Sequence, residues 1–166
     1  MTPQPNGRLL RTAAGRDLVL TRNFRAPIED VWASVTESER TARWYGSWEG
    51  DAGPGRTIKV CMLFEENQPI FDMHIDTCEP PRHLILRTTD DLGEWVLEAV
   101  LTERSDGTEL TFTQHLAPGV AAADVGPGWE YYLDAWVAAE HGAAQPSFDD
   151  YYPSMKPYYE QQDQRA

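Results

Sequence analysis

Only two of the 166 residues are cysteine, Cys61 and Cys78, and they form no Cys-x-x-Cys pair. That excludes a disulfide framework and a zinc knuckle, and both thiols read as small buried hydrophobes. No apolar run approaches the roughly 20 residues needed to cross a bilayer, so membrane insertion is not expected. The first fourteen residues lack the apolar stretch and cleavage pattern of a signal peptide, which makes the cytoplasm the expected compartment. Basic charge is scarce: 14 Lys and Arg stand against 27 Asp and Glu, a net charge of -13. So acidic a surface repels phosphate backbones and anionic head groups, and nucleic acid is excluded as the expected partner. There is no Gly-x-Ser-x-Gly elbow, and Gly53-Pro54-Gly55 lacks the Lys and Ser/Thr of a phosphate loop, so it reads as a turn. No metal site or cofactor is expected.

What is present is the balance of one globular domain, with 41% hydrophobic and 25% charged residues. Residues 1–16 mix Pro, Asn, Gly and Arg without period and read as a mobile leader; residues 17–144 read as a single domain. A first strand follows the leader, with Leu18, Leu20 and Phe24 set among polar residues, and ends at Ala26-Pro27. Pro27 suits a helix start, Glu29 and Asp30 complement its positive end, and Ile28, Val31, Trp32 and Val35 fall at helical spacing. A second short helix from Thr36-Glu37-Ser38-Glu39 is expected to run to Trp44-Tyr45 and stop at Gly46.

From Trp48 to His115 the period changes to two, broken by turn signals at Gly53-Pro54-Gly55, Glu66-Asn67, Pro80-Pro81, Asp91-Leu92-Gly93 and Asp106-Gly107. The segments between are strands of an antiparallel meander, about six or seven in all. Alternation assigns their faces: Phe71, Met73 and Ile75 oppose Asp72, His74 and Asp76, and Trp95, Leu97, Ala99 and Leu101 oppose Val96, Glu98 and Thr102. Leu110 and Phe112 point inward by the same rule. A helix of about four turns is expected over 128–142, with Trp129, Leu133, Trp136, Val137 and Glu140 on one stripe and Glu130 and Asp134 opposite. Its aromatics need a partner, and the apolar face of the sheet is large enough. Residues 145–166 crowd Phe148, Tyr151, Tyr152, Tyr158 and Tyr159 among prolines and acids, which reads as an aromatic-rich tail docking on its own domain.

The order strand, two short helices, meander, long C-terminal helix resembles the START-like SRPBCC superfamily, in the branch similar to activators of the large heat-shock chaperone's ATPase. The likeness covers Asp17 to Gly142. It is carried by Ala26-Pro27-Ile28-Glu29-Asp30-Val31-Trp32, Trp44-Tyr45-Gly46, Glu79-Pro80-Pro81-Arg82-His83-Leu84, Gly107-Thr108-Glu109-Leu110-Thr111, and Gly128-Trp129 with Leu133. The resemblance implies an α+β helix-grip fold, also called Bet v-like, in which a curved antiparallel sheet wraps the last helix. It also implies a cavity between the two for a small apolar ligand. Trp44, Trp48, Phe71, Met73, Trp95, Leu97, Phe112, Trp129, Tyr132, Leu133 and Trp136 are the expected lining, set against plain core packing of the same side chains.

Two other classes of function remain at this point. Asp72, His74 and Asp76 project together from one strand and could pass a proton or hold a metal, although a solvated face has the same appearance. Glu98 becomes a general base if its face is buried, so Glu98, His74 and Asp72 are the candidate catalytic groups of a cyclase, dehydratase or hydrolase. His83, His115 and His141, at element ends, read as surface residues. The acidic face and tyrosine-rich tail suit a chaperone or other protein partner. Monomer and homodimer are both compatible with the sequence.

Overall fold

A computed structural model describes residues 2–165. Eight strands form one antiparallel sheet: β1 (Arg8–Thr12), β2 (Gly15–Phe24), β3 (Gly46–Glu49), β4 (Thr57–Met62), β5 (Ile70–Glu79), β6 (His83–Asp90), β7 (Gly93–Arg104) and β8 (Gly107–Leu116), in the order β1-β2-β8-β7-β6-β5-β4-β3. Helices α1 (Ile28–Thr36) and α2 (Ser38–Thr41) follow β2, α3 (Ala122–Glu140) follows β8, and α4 (Lys156–Arg165) closes the chain after a short 3-10 turn at Phe148–Asp150. The architecture is a curved sheet gripping α3, the helix-grip fold. Among the described residues no helix is long and apolar enough to cross a membrane.

The strand count is eight rather than six or seven because the expected leader contains β1. Leu9 pairs with Leu18 and Leu10 with Asp17, so the segment is an edge strand rather than a mobile lead-in. Its signal is weak because Leu9 and Leu10 stand between arginines and Leu10 remains exposed. Helix α2 is also shorter than expected, ending at Thr41, and Ala42–Tyr45 continues as turn. Helix α3 begins six residues earlier than expected, because Gly126-Pro127-Gly128 lies inside it. Glycine and proline both read as breakers, yet Gly126 is needed here: a Cβ on it would sit 2.6 Å from the Tyr159 ring.

The inner face of the sheet carries Leu20, Ile58, Met73, Ile75, Leu97, Ala99 and Phe112, and α3 buries Trp129, Leu133 and Trp136 against it. Curvature is increased by a bulge between Ile75 and Thr77 in β5, where the β5–β6 register shifts. Helix α3 has a second buried side. Glu130, expected with Asp134 opposite the aromatic stripe, is 0% exposed. Its Oε1 accepts from Arg22 Nη2 at 2.7 Å, and its Oε2 accepts from the main-chain N–H groups of Asn6 (2.8 Å) and Gly7 (3.1 Å) and from the Tyr159 hydroxyl. The segments that cover it come from both ends of the chain. Tyr151 and Tyr159 are themselves buried, and Tyr151 donates to Asp134 at 2.7 Å.

Candidate functional site

The apolar face of the sheet and α3 do not meet everywhere. A cavity of about 230 Å³ lies between them, closed at one end by α1, α2 and β3. Ser34 of α1 arranges its back wall. The Trp44 indole donates to the Ser34 carbonyl at 2.9 Å and the Trp136 indole to the Ser34 hydroxyl at 2.6 Å, which stacks the two rings 4.8 Å apart and 7° from parallel. Trp129 is fixed in the same way: its indole donates to the buried Gln114 amide at 2.6 Å and its ring lies 4.5 Å from Phe112. With the indole N–H groups of Trp44, Trp129 and Trp136 satisfied by protein, the faces these rings leave toward the cavity are carbon.

A second cavity of about 500 Å³ adjoins the first. Tyr45, Met73, Leu97 and Trp129 line both and form the partition. Of the side chains expected to line a cavity, Trp44, Trp48, Phe112, Leu133 and Trp136 border the first, Phe71, Trp95 and Tyr132 the second, and Met73, Leu97 and Trp129 both. Tyr45 was not foreseen; it was read only as the end of a helix. Burial and the nearby Glu65 carboxylate push its phenol up, as they do for Tyr132, whose hydroxyl donates to Glu65 at 2.6 Å. Cys78 borders the first cavity and is half-buried, as is Cys61, where both were expected to be buried.

The expected catalytic groups lie on the other face of the sheet. Asp72 pairs with Lys59 at 2.8 Å, and Asp76 with Arg87 at 2.7 Å. His74 meets the Thr57 hydroxyl at 3.1 Å. Glu98 borders the first cavity with its strand, but its carboxylate turns outward to His83 Nε2 (2.6 Å) and His115 Nε2 (2.8 Å). Alternation along β5 and β7 gives the physical reason: Met73, Ile75, Leu97 and Ala99 take the inner positions and leave the outer ones to Asp72, His74 and Glu98. In this structure the carboxylates of Asp72 and Glu98 and the His74 ring are engaged on the outer face instead. Among the described residues no group of three or more His, Cys, Asp or Glu is placed to hold a metal.

The outward turn of Glu98 completes a ladder that single-strand patterns do not reveal. Glu79 meets His83 at 3.1 Å, His83 and His115 share Glu98, and His115 Nδ1 meets Asp17 at 2.8 Å, so the chain of contacts crosses β5, β6, β7, β8 and β2. His83 is raised by its bond to Glu98, against partial burial, with help from Glu79. For His115 burial works downward, but the bonds to Glu98 and Asp17 outweigh it. Burial alone would raise Glu98; the two histidines hold it below the ordinary carboxylate value. The histidine contribution to stability is complete below the ordinary value of 6.5 and is lost as pH rises through the raised folded values. The Glu98 contribution is present above 4.5 and is lost as pH falls through its lowered value. Relative to Glu98→Gln, the protein is therefore expected to gain most between these limits, by about 1 kcal/mol because the ladder is partly in water. Urea midpoints of both proteins at about pH 5.5 and about pH 8.5 check this, and an advantage that grew toward the higher pH would contradict it.

The comparisons with known proteins bear on the family and the fold. The family model described as activator of Hsp90 ATPase homolog 1-like protein matches residues 25–139. CalU16 from Micromonospora echinospora is 23% identical, with 96% of each chain covered and a TM-score of 0.75. A Bordetella parapertussis protein solved in solution is 26% identical over 95% of this chain and 91% of its own, with a TM-score of 0.74. An AHSA1-like protein from Aeromonas hydrophila is 17% identical over 76% of this chain and 92% of its own, with a TM-score of 0.64. No curated protein matches the sequence. With the family match running from just after β2 nearly to the end of α3, through every element that lines the first cavity, the chain belongs to the activator of Hsp90 ATPase homolog 1-like family of the SRPBCC superfamily.

Proposed function

We propose that this protein binds a small hydrophobic molecule between the sheet and α3, with the ligand's apolar body in the first cavity. The observation that carries the reading is the largely carbon-lined 230 Å³ space between sheet and helix, where the indole N–H groups of Trp44, Trp129 and Trp136 are already paired within the protein. Apolar cavities of this order stay dry and accept apolar guests. Glu98 borders the space but its carboxylate is bonded to His83 and His115, and Asp72 and His74 pair on the outer face, which supports binding over catalysis by these groups.

Mass spectrometry of the purified protein, native and then denatured, tests the reading directly: a stoichiometric apolar molecule released on denaturation supports it. Ala99→Leu supplies the second arm. Ala99 borders the first cavity, and the larger side chain is expected to weaken apolar ligands about tenfold while leaving the ligand-free protein as stable or slightly more so. Unchanged affinity in the variant would move the ligand elsewhere. A protein that releases nothing and binds nothing apolar would leave a protein partner as the better account of the fold.

A further inference from the structure

The two cavities differ in character, and the difference specifies the ligand. The first is almost wholly apolar, whereas the second combines aromatic rings with carboxylates. Tyr45, Phe71, Trp95, Trp129 and Tyr132 present rings to it, and Tyr45 and Tyr132 meet edge to face at 5.1 Å. Glu65, Asp90 and Asp124 are its charged groups. Among the described residues no lysine, arginine or histidine lines either cavity. The N-terminus of α3, whose Asp124 lines this cavity, is already taken as an anion site: the Asp163 carboxylate accepts from the Ala122 and Ala123 N–H groups at 2.8 and 3.1 Å. An anionic head group placed here would meet three carboxylates and find no donor cation.

We infer that the second cavity recognises a cationic head group, an alkylated or protonated amine, whose apolar body passes the Tyr45–Leu97 partition into the first. The inference rests on the proposed binding role and names the ligand class. Ring faces attract ammonium ions through their quadrupoles, most strongly where water is excluded, and carboxylates at the rim add attraction of longer range. The Tyr45 phenol supports this. It borders both cavities, its shift is caused by burial and the Glu65 charge without any hydrogen bond, and its hydroxyl can therefore accept from an N–H of the head group. A fatty acid is the opposite case, since its carboxylate would be desolvated beside Glu65 and Asp124.

Three probes that share one tail separate head from body: octyltrimethylammonium, octanol and octanoate, titrated by calorimetry below their aggregation concentrations. The cation is expected to bind about tenfold or more tightly than octanoate, with octanol between them. In Glu65→Gln/Asp90→Asn/Asp124→Asn the preference should collapse to about threefold or less, while octanol is unaffected. Neutralising Glu29, Asp106 and Glu160, which are exposed and line neither cavity, should leave the preference intact and so excludes the general acidity of the surface. Octanol binding without a cation preference, or a preference that survives in the cavity triple variant, overturns the head-group inference and leaves the cavity reading standing. If octanol also fails to bind, and Ala99→Leu changes nothing, both readings fall together.

Discussion

Glu130→Ala is expected to destabilise the protein by about 3–5 kcal/mol, the cost of removing one partner from a buried ion pair. The side chain is 0% exposed, and its loss would leave three kinds of donor without their acceptor. Arg22, 11% exposed at its side chain, would keep Asp134 at 2.7 Å but lose Glu130. The Asn6 and Gly7 N–H groups and the Tyr159 hydroxyl would lose their common oxygen. Each orphaned buried donor costs about 1–3 kcal/mol, so the total cannot be small even if water enters. In a chain of this length the loss corresponds to a fall in Tm of about 10 °C.

Tyr159→Phe separates the parts of this junction, because it removes one donor and keeps the ring packed on Gly126. It is expected to cost about 1.5–3 kcal/mol, the range for a hydrogen bond to a charged group. Urea unfolding of both variants is the measurement. A loss below about 1 kcal/mol in Glu130→Ala would mean that the two chain ends are not anchored through this carboxylate.

Glu130 also marks where sequence reasoning reaches its limit. The strands between Thr57 and Leu116 were legible because turn residues bound each run and one face of each is apolar; the turn signals imply runs over approximately 57–64, 69–79, 83–89, 95–104 and 108–116, and the observed strands lie within two residues of these bounds. Helix periodicity likewise placed Trp129, Leu133 and Trp136 together, and it placed Glu130 opposite, which is geometrically right. What periodicity could not supply is the cover on that opposite side, since Gly7 is 123 residues away in sequence and Tyr159 is 29. The Glu98 ladder was hidden for the same reason. His83, Glu98 and His115 share a face only once three strands are paired in register, and Asp17 joins from a fourth, 98 residues from His115. The cavities were partly legible: alternation identifies which side chains face inward, but whether those side chains fill the space or line it depends on the lengths and tilts of elements. Here Ser34 and Gln114 decide it by holding Trp44, Trp136 and Trp129 against the walls.

Trp136→Ala is expected to cost about 3–5 kcal/mol, the usual range for truncating a buried aromatic side chain. Trp136 is 1% exposed, stacks on Trp44, and lies 5.2 Å from Phe24, so it joins α3 to β2 and to the turn after α2. Unlike Glu130, it borders the first cavity, and its truncation enlarges a space that already exists. That difference makes the loss reversible by a ligand. Indole, which matches the deleted group and can donate to Ser34, should restore stability to the variant in proportion to its binding, about 2.7 kcal/mol at one hundred times its Kd. The unmodified protein, with less room, should gain less from the same concentration. Thermal unfolding of both proteins with and without indole decides the matter: a larger gain in the variant places the guest beside Ser34, whereas no gain in either would mean that the walls collapse into the space.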